Sequence, residues 1–291
     1  MTDAAPRPGS SPAHAALRPG LGSFAFGWAV ERARPAFDEH ALLAFAQRHG
    51  VFVVQLGDNL PVHTWPAARL ECFVDAARRL GVSIELGARG LTDGHLERYL
   101  ELCGRCGSRL LRFVADAPHY EPAPDDLIAL LRNAARALAA ADVMLALENH
   151  DRFPAATLRR IIESAAIPHA GICLDTANSL GAGEGLSHVT DRLGPLTVNL
   201  HVKDVRISRL PHMMGFVVEG RPLGAGQLAI AQTIECVRQH GRCESVILEA
   251  WTPPAPTMAE TLQRERADAE VSIERLKALV ALSSESLRGS S

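Results

Sequence analysis

Residues 144–151, MLALENHD, and 170–178, AGICLDTAN, are built alike: an apolar run halts on an acid and turns polar at once. TVNLHVKDV (197–205) and SVILEAW (245–251) follow a similar plan. Reading back toward the N-terminus, runs of the same kind begin at Gly22 (GSFAFGWAV), Val51 (VFVVQLGDN), Val82 (VSIELGAR) and Arg109 (RLLRFVADA), which makes eight. Their starts are 29, 31, 27, 35, 26, 27 and 48 residues apart. A strand with its crossover helix needs about 30 residues, so each of the first six intervals has room for one βα unit. Strands that are apolar along their whole length are covered on both faces, as in a parallel sheet.

The segments between the runs carry helical periodicity. AFDEHALLAFAQRH (36–49) gathers Leu42, Phe45 and Ala46 on one face. PDDLIALLRNAARALAAA (124–141) opens with two acids suited to a helix N-terminus, and 153–165 and 226–241 repeat the pattern, the last closing on Gly241 as a C-cap. Eight such units predict an α/β (β/α)8 (TIM) barrel, one domain over residues 21–282. The alternative is a doubly wound open sheet, but no GxGxxG opens the first helix. Residues 1–20 hold four prolines and no continuous apolar segment, so a disordered leader is expected rather than a signal peptide. Ser-rich 283–291 is expected to be a disordered tail.

Composition narrows the function. At 291 residues and 47% hydrophobic the chain can bury a large core. Thirty Lys+Arg against 33 Asp+Glu leave −3, so the basic footprint of a nucleic-acid binder is missing. No apolar run approaches the ~20 residues that cross a bilayer. Six cysteines without a regular framework point to reduced thiols and a cytoplasmic setting. Cys103 and Cys106 have CxxC spacing, but they end a helical stretch, whereas a redox pair opens one after a strand.

In such a barrel the chemistry lies at the C-terminal ends of the strands. There the fifth to eighth runs place Glu148, Asp175, His201 and Glu249, each inside an apolar run (LALENH, GICLDT, NLHVK, VILEAW) where an unpaired charge is costly. Three carboxylates gathered at one point repel unless a cation lies among them. Three oxygen ligands and one imidazole suit one Mn²⁺, Mg²⁺ or Co²⁺ better than a structural zinc.

This barrel, the order Glu, Asp, His, Glu, and the phrases LALENHDRFP, GICLDTANS and NLHVKDV resemble the xylose-isomerase-like superfamily of sugar isomerases, epimerases, a dehydratase and repair nucleases. HMMGFVVEGRPLGAG (212–226) and QLGDNLPVH (55–63) look closer to one branch, the 3-oxo-isoapionate decarboxylases, which release CO₂ from a branched β-keto sugar acid in apiose breakdown. Departures matter. Many members carry a second His where this chain has Asn178, and the nucleases need imidazoles where it has Leu56-Gly57-Asp58 and Glu85-Leu86-Gly87. One metal rather than three is therefore expected.

The long last interval places its excess in residues 206–226, at the catalytic end, where a loop of unusual length is expected to act as a lid with glycine hinges. A metal site of this kind stabilises the negative charge left on a ketone when a neighbouring bond breaks. If that bond is C–CO₂⁻ the enzyme is a decarboxylase giving a ketose such as L-erythrulose. If it is C–H, with Glu148 and Glu249 as proton shuttles, it is an isomerase or epimerase of the ketose-epimerase or hydroxypyruvate-isomerase type. Lys203, on the face of His201, would hold the departing carboxylate or pair with Glu249 or Asp175; Arg152 and Arg206 are further candidates. His150, Asn178 and His212 complete the expected substrate contacts. The expected partner is a small, unphosphorylated sugar acid, with no nucleic acid or membrane; a homo-oligomer is compatible, and a non-catalytic sugar-acid sensor is the remaining alternative.

Overall fold

The computed structural model of the chain describes residues 16–285. Its strands are β1 (Arg18–Gly22), β2 (Val53–Leu56), β3 (Ser83–Arg89), β4 (Leu110–Val114), β5 (Met144–Glu148), β6 (Ala170–Asp175), β7 (Thr197–Val202), β8 (Asp204–Arg209), β9 (Phe216–Arg221) and β10 (Ser245–Leu248). The α-helices are α1 (Gly27–Arg32), α2 (Glu39–Arg48), α3 (Ala67–Arg79), α4 (Asp93–Cys106), α5 (Pro124–Ala141), α6 (Ala155–Ala165), α7 (Leu186–Leu193), α8 (Ile230–Gln239) and α9 (Met258–Glu285). Eight strands close into a barrel in the order β1-β10-β7-β6-β5-β4-β3-β2, all neighbours parallel. Alternate residues of each strand face opposite sides. On β7, Leu200 and Val202 join the apolar core shared with the helices, while Asn199 and His201 bond across the barrel. This is a TIM barrel in one domain, and among the described residues no helix is long and apolar enough to cross a membrane.

Local chemistry sets the helix ends. Asp38 accepts from His40 N and Ala41 N at the start of α2. Asp126 accepts from Ala123 N at the start of α5, which spans the predicted 124–141. On α9, Ala269, Ile273, Leu276 and Val280 form a buried stripe at helical spacing.

The structure differs from the sequence reading in two places. The first strand is not GSFAFGWAV: residues 23–32 are a short 3-10 turn and α1, and the strand is the preceding Arg18–Gly22. A side chain at Gly20 would come within 2.5 Å of Ile247 Cδ1, so Gly20 leaves the inner face of β1 to that side chain, and the strand reads as a Pro/Gly-rich leader. Hence the barrel begins inside the segment expected as leader, whose residues 1–15 lie outside the described residues. At the other end α9 runs on to Glu285, and 286–291 lie outside the described residues. The second difference concerns 206–226. This segment is not an irregular loop but most of an antiparallel hairpin, β8 paired with β9 from Asp204↔Arg221 to Arg209↔Phe216. Gly220, Gly224 and Gly226 are held in place. The Asp204 carboxylate accepts four backbone N–H groups, from Val205, Gly224, Gly226 and Leu228, which ties down the base of the arm. A side chain at Gly220 would lie 1.7 Å from the Trp251 carbonyl, so β9 rests directly on the chain after β10.

Glu265 of α9 accepts from Trp28 N (2.8 Å) and Ala29 N (2.9 Å) at the start of α1. Burial pushes its carboxyl pKa up to about 7. The folded pKa lies above the unfolded one, so this group's contribution to stability is full below about pH 4.5 and is lost as pH rises through 7. Glu265→Gln does not ionise. Between pH 5 and 8 its stability should therefore gain on the wild type by about 2–3 kcal/mol, measured by thermal unfolding. A constant gap across that range would contradict the assignment.

Candidate metal centre

Glu148 and Asp175 are the last residues of β5 and β6, His201 lies on β7, and Glu249 follows β10. One donor atom from each lies within 4.8 Å of all the others, and all four side chains are buried. His201 Nδ1 is 3.3 Å from Glu249 Oε1, 3.5 Å from Glu148 Oε1 and 4.0 Å from Asp175 Oδ2. The remaining polar atom of each group is held from behind. Glu148 Oε2 faces Arg112 Nε at 3.0 Å, and Glu249 Oε2 faces Lys203 Nζ at 3.0 Å. Asp175 Oδ1 accepts from Ala177 N and Asn178 N, and His201 Nε2 bonds Gln55 Oε1 at 2.7 Å. His201 Nδ1 and Asp175 Oδ2 are buried with no hydrogen bond of good geometry. His201 Nδ1 is the open inward donor, while Asp175 Oδ2 meets Lys203 Nζ at 2.8 Å and Glu148 Oε1 accepts from Asn178 Nδ2 at 3.0 Å, partners that a divalent ion would displace. The cluster can hold a metal ion, and a hard, oxygen-preferring one suits its donors.

Electrostatics hold the cluster together. Burial alone would raise the Glu148 carboxyl, but Arg112 and then His201 outweigh it and hold its pKa at about 2. Glu249 is likewise driven well down, against burial, by His201 and Lys203. Burial would lower the His201 imidazole; Cys173, Glu249 and Glu148 raise it well above the ordinary value. Lys203 is raised against burial by Asp175, 2.8 Å away, and by Glu249. Arg112, Lys203 and the His201 ring thus offset the three carboxylates.

Of the other residues singled out by sequence, Asn178 reaches the cluster: its Nδ2 donates to Glu148 Oε1 (3.0 Å) and its Oδ1 accepts from Lys203 (3.1 Å). His150 is half-buried and paired with its neighbour Asp151. Three lie apart. Arg152 is tied to Glu121 and the Pro122 carbonyl, Arg206 is exposed on β8 opposite Glu219, and His212 bonds Met214 N at the hairpin tip. Cys103 and Cys106 are buried on α4, where burial raises their thiols to about 12 and about 11, against a reactive pair.

Sequence reasoning passed over Arg112, which is 2% exposed and also donates to Asp58 Oδ1 at 2.9 Å. The signal was present: in LLRFV, as in NLHVK, one charged residue is flanked by apolar ones. Gln55 and Glu85 carry the same signature in VVQLG and SIELG. A cleft of about 700 Å³ is lined by Ala250 and Trp251, which follow Glu249, and by Phe24, Trp28, Asn59 and Val218, but by none of the four cluster residues. The Trp251 ring lies 5.2 Å from Lys203 Nζ and the Phe24 ring 5.9 Å from Arg112 Cζ, so two rings that line the cleft lie near the buried cations.

Comparison with known proteins agrees with this fold. The chain is 30% identical over 249 residues to the 3-oxo-isoapionate decarboxylase of Pectobacterium atrosepticum, covering 85% of this chain and 90% of that protein. Its fold matches D-psicose 3-epimerase with D-tagatose from Clostridium cellulolyticum H10 (TM-score 0.68, 12% identity, 91% of this chain and 99% of that one). It also matches a xylose isomerase-like TIM barrel protein from Mycobacterium smegmatis in complex with magnesium (TM-score 0.59, 15% identity, 81% and 89%). The family profile of the xylose isomerase-like TIM barrel covers residues 20–279, and the chain belongs to that family.

Proposed function

We propose that the protein is a metal-dependent carboxy-lyase acting on a branched β-keto sugar acid of the 3-oxo-isoapionate type, yielding a ketose such as L-erythrulose and CO₂. Glu148, Asp175, His201 and Glu249 would hold one Mn²⁺, Mg²⁺ or Co²⁺. The observation that carries this reading is the pair of buried cations, Arg112 and Lys203, flanking the cluster. Three carboxylates against two cations leave one negative charge, which a divalent ion turns into one positive charge. Asp58 cancels that charge over the whole cluster but is bonded to Arg112, so the positive charge is left on the Lys203 side. A site of this sign selects an anion over a neutral ketose. The similarity to a decarboxylase over most of both chains supports the same choice.

When bound, the ion supplies a Lewis acid for the negative charge that builds on the substrate ketone oxygen. The chain's own residues do the rest. Lys203 is kept charged by Asp175 and Glu249; when those carboxylates are shared with another cation, its N–H groups are freed to pair with the substrate carboxylate. Phe24 and Trp251 keep water from the reacting carbon. As the C–CO₂⁻ bond breaks, its electron pair passes to the ketone, and a proton is returned to the carbon. A second reading, isomerase or epimerase, is favoured by Glu148 and Glu249 facing one centre, where they could shuttle a proton between carbons. Free cysteines support a reducing, cytoplasmic setting.

Incubation of the metal-loaded protein with candidate substrates in D₂O separates the two. The lyase is expected to release CO₂ stoichiometrically and leave one deuterium on the product. Deuterium entering recovered substrate with no CO₂ would establish the isomerase instead.

A further inference from the structure

Beneath the metal-binding cluster the barrel interior is polar. Gln55, Glu85, Asn199 and Ser245 point into it from β2, β3, β7 and β10, and all four are buried. Their hydrogen bonds form one connected set. Gln55 Oε1 meets His201 Nε2 at 2.7 Å, and Gln55 Nε2 donates to Glu85 Oε2 (3.0 Å) and Asn199 Oδ1 (3.1 Å). Asn199 Nδ2 in turn donates to Ser245 Oγ at 2.8 Å.

With Glu85 ionised, this arrangement leaves the Gln55 amide one orientation. Both of its hydrogens are used, one on a carboxyl oxygen and one on an amide oxygen whose own NH₂ is engaged elsewhere. Turning it over would set its oxygen against those two oxygens, leaving three buried polar groups unmet at once. Gln55 therefore presents an acceptor to His201, and only a protonated Nε2 satisfies it. In the neutral imidazole the lone pair then belongs to Nδ1, the nitrogen 3.3–4.0 Å from the three carboxylates.

We infer that Gln55, its amide fixed by Glu85 and Asn199, is a positioning residue for metal binding that holds His201 as the Nε2–H tautomer with Nδ1 turned to the cluster. The inference rests on the reading of the four residues as a metal site. It adds that the proton displaced by a metal leaves Nδ1, and that strands β2 and β3, which give no ligand, take part in setting affinity. Orienting partners of this kind are worth about 10–100-fold in metal affinity.

Two measurements test it without recourse to turnover. The wild-type protein, ¹⁵N-labelled at histidine and loaded with ¹¹³Cd²⁺, should show cadmium coupling to one Nδ1 and a bound proton on the Nε2 of the same ring. Mn²⁺ affinity, from competition with a chelator, should fall about 10–100-fold in Gln55→Met. Coupling through Nε2, or wild-type affinity in a folded Gln55→Met, would overturn the inference while leaving the metal site intact. If Gln55→Met does not fold, the cadmium spectrum of the wild type decides alone. A wild type that binds neither ion would remove the metal site itself and the inference with it.

Discussion

Glu249→Gln is expected to give a folded protein with decarboxylation reduced by about a thousandfold. The change removes one anionic donor from the cluster and, with it, part of the hold on Lys203 at 3.0 Å. Loss of about 4 kcal/mol of charge stabilisation in the transition state corresponds to that factor. Metal retained after dialysis, measured by elemental analysis, should fall in parallel. Cys106→Ser, remote on α4, serves as the control and should keep wild-type rates. A Glu249→Gln enzyme with undiminished turnover would show that the ion is held without the residue after β10.

Arg112→Met should act on both stability and selectivity. Arg112 is buried, with Nε 3.0 Å from Glu148 Oε2 and Nη1 2.9 Å from Asp58 Oδ1. Removing one member of a buried pair strands the other, at about 3–5 kcal/mol. In a domain of this size that amounts to a fall of about 10 °C in Tm. The charge of the loaded site would also lose its excess positive sign. KM for keto acids should rise about 10–100-fold, the worth of one charged hydrogen bond, with little change for neutral ketoses. Arg112→Lys keeps the charge but not the two-sided grip; it should restore selectivity more than stability. Equal effects on acids and neutral ketoses would remove Arg112 from substrate choice, while a Tm near wild type would deny it a structural role.

The parts of the fold legible in the sequence were those whose physics is local. α5 follows from an acidic first turn and a 3.6-residue repeat, and the strands carrying Glu148, Asp175 and His201 follow from apolar runs with polar residues turned inward. β1 escaped because its composition is dictated by a neighbour: Ile247 occupies the space a side chain at Gly20 would need, and nothing within Arg18–Gly22 announces that. The hairpin escaped for a different reason. Its length was correctly placed at the catalytic end, but the clamp that orders it is Asp204, and four backbone N–H groups converging on one carboxylate come from residues spread over 204–228. Arg112 and Gln55 show the inverse case. Each carried the same local signature as His201, yet neither is an obvious ligand, and only cross-barrel distances reveal what they hold.

The Asp204 clamp couples what lies on either side of it. His201, Lys203 and Asp204 follow one another on a single stretch of chain, so the imidazole, the ammonium and the root of the hairpin share one backbone segment. The arm springing from that root supplies Val218 to the wall of the cleft. A molecule that entered the cleft against Val218 would therefore press on an arm rooted in the strand bearing His201. Thermodynamic reciprocity then makes the coupling run both ways: the factor by which such a molecule tightens the ion is the factor by which the ion tightens that molecule.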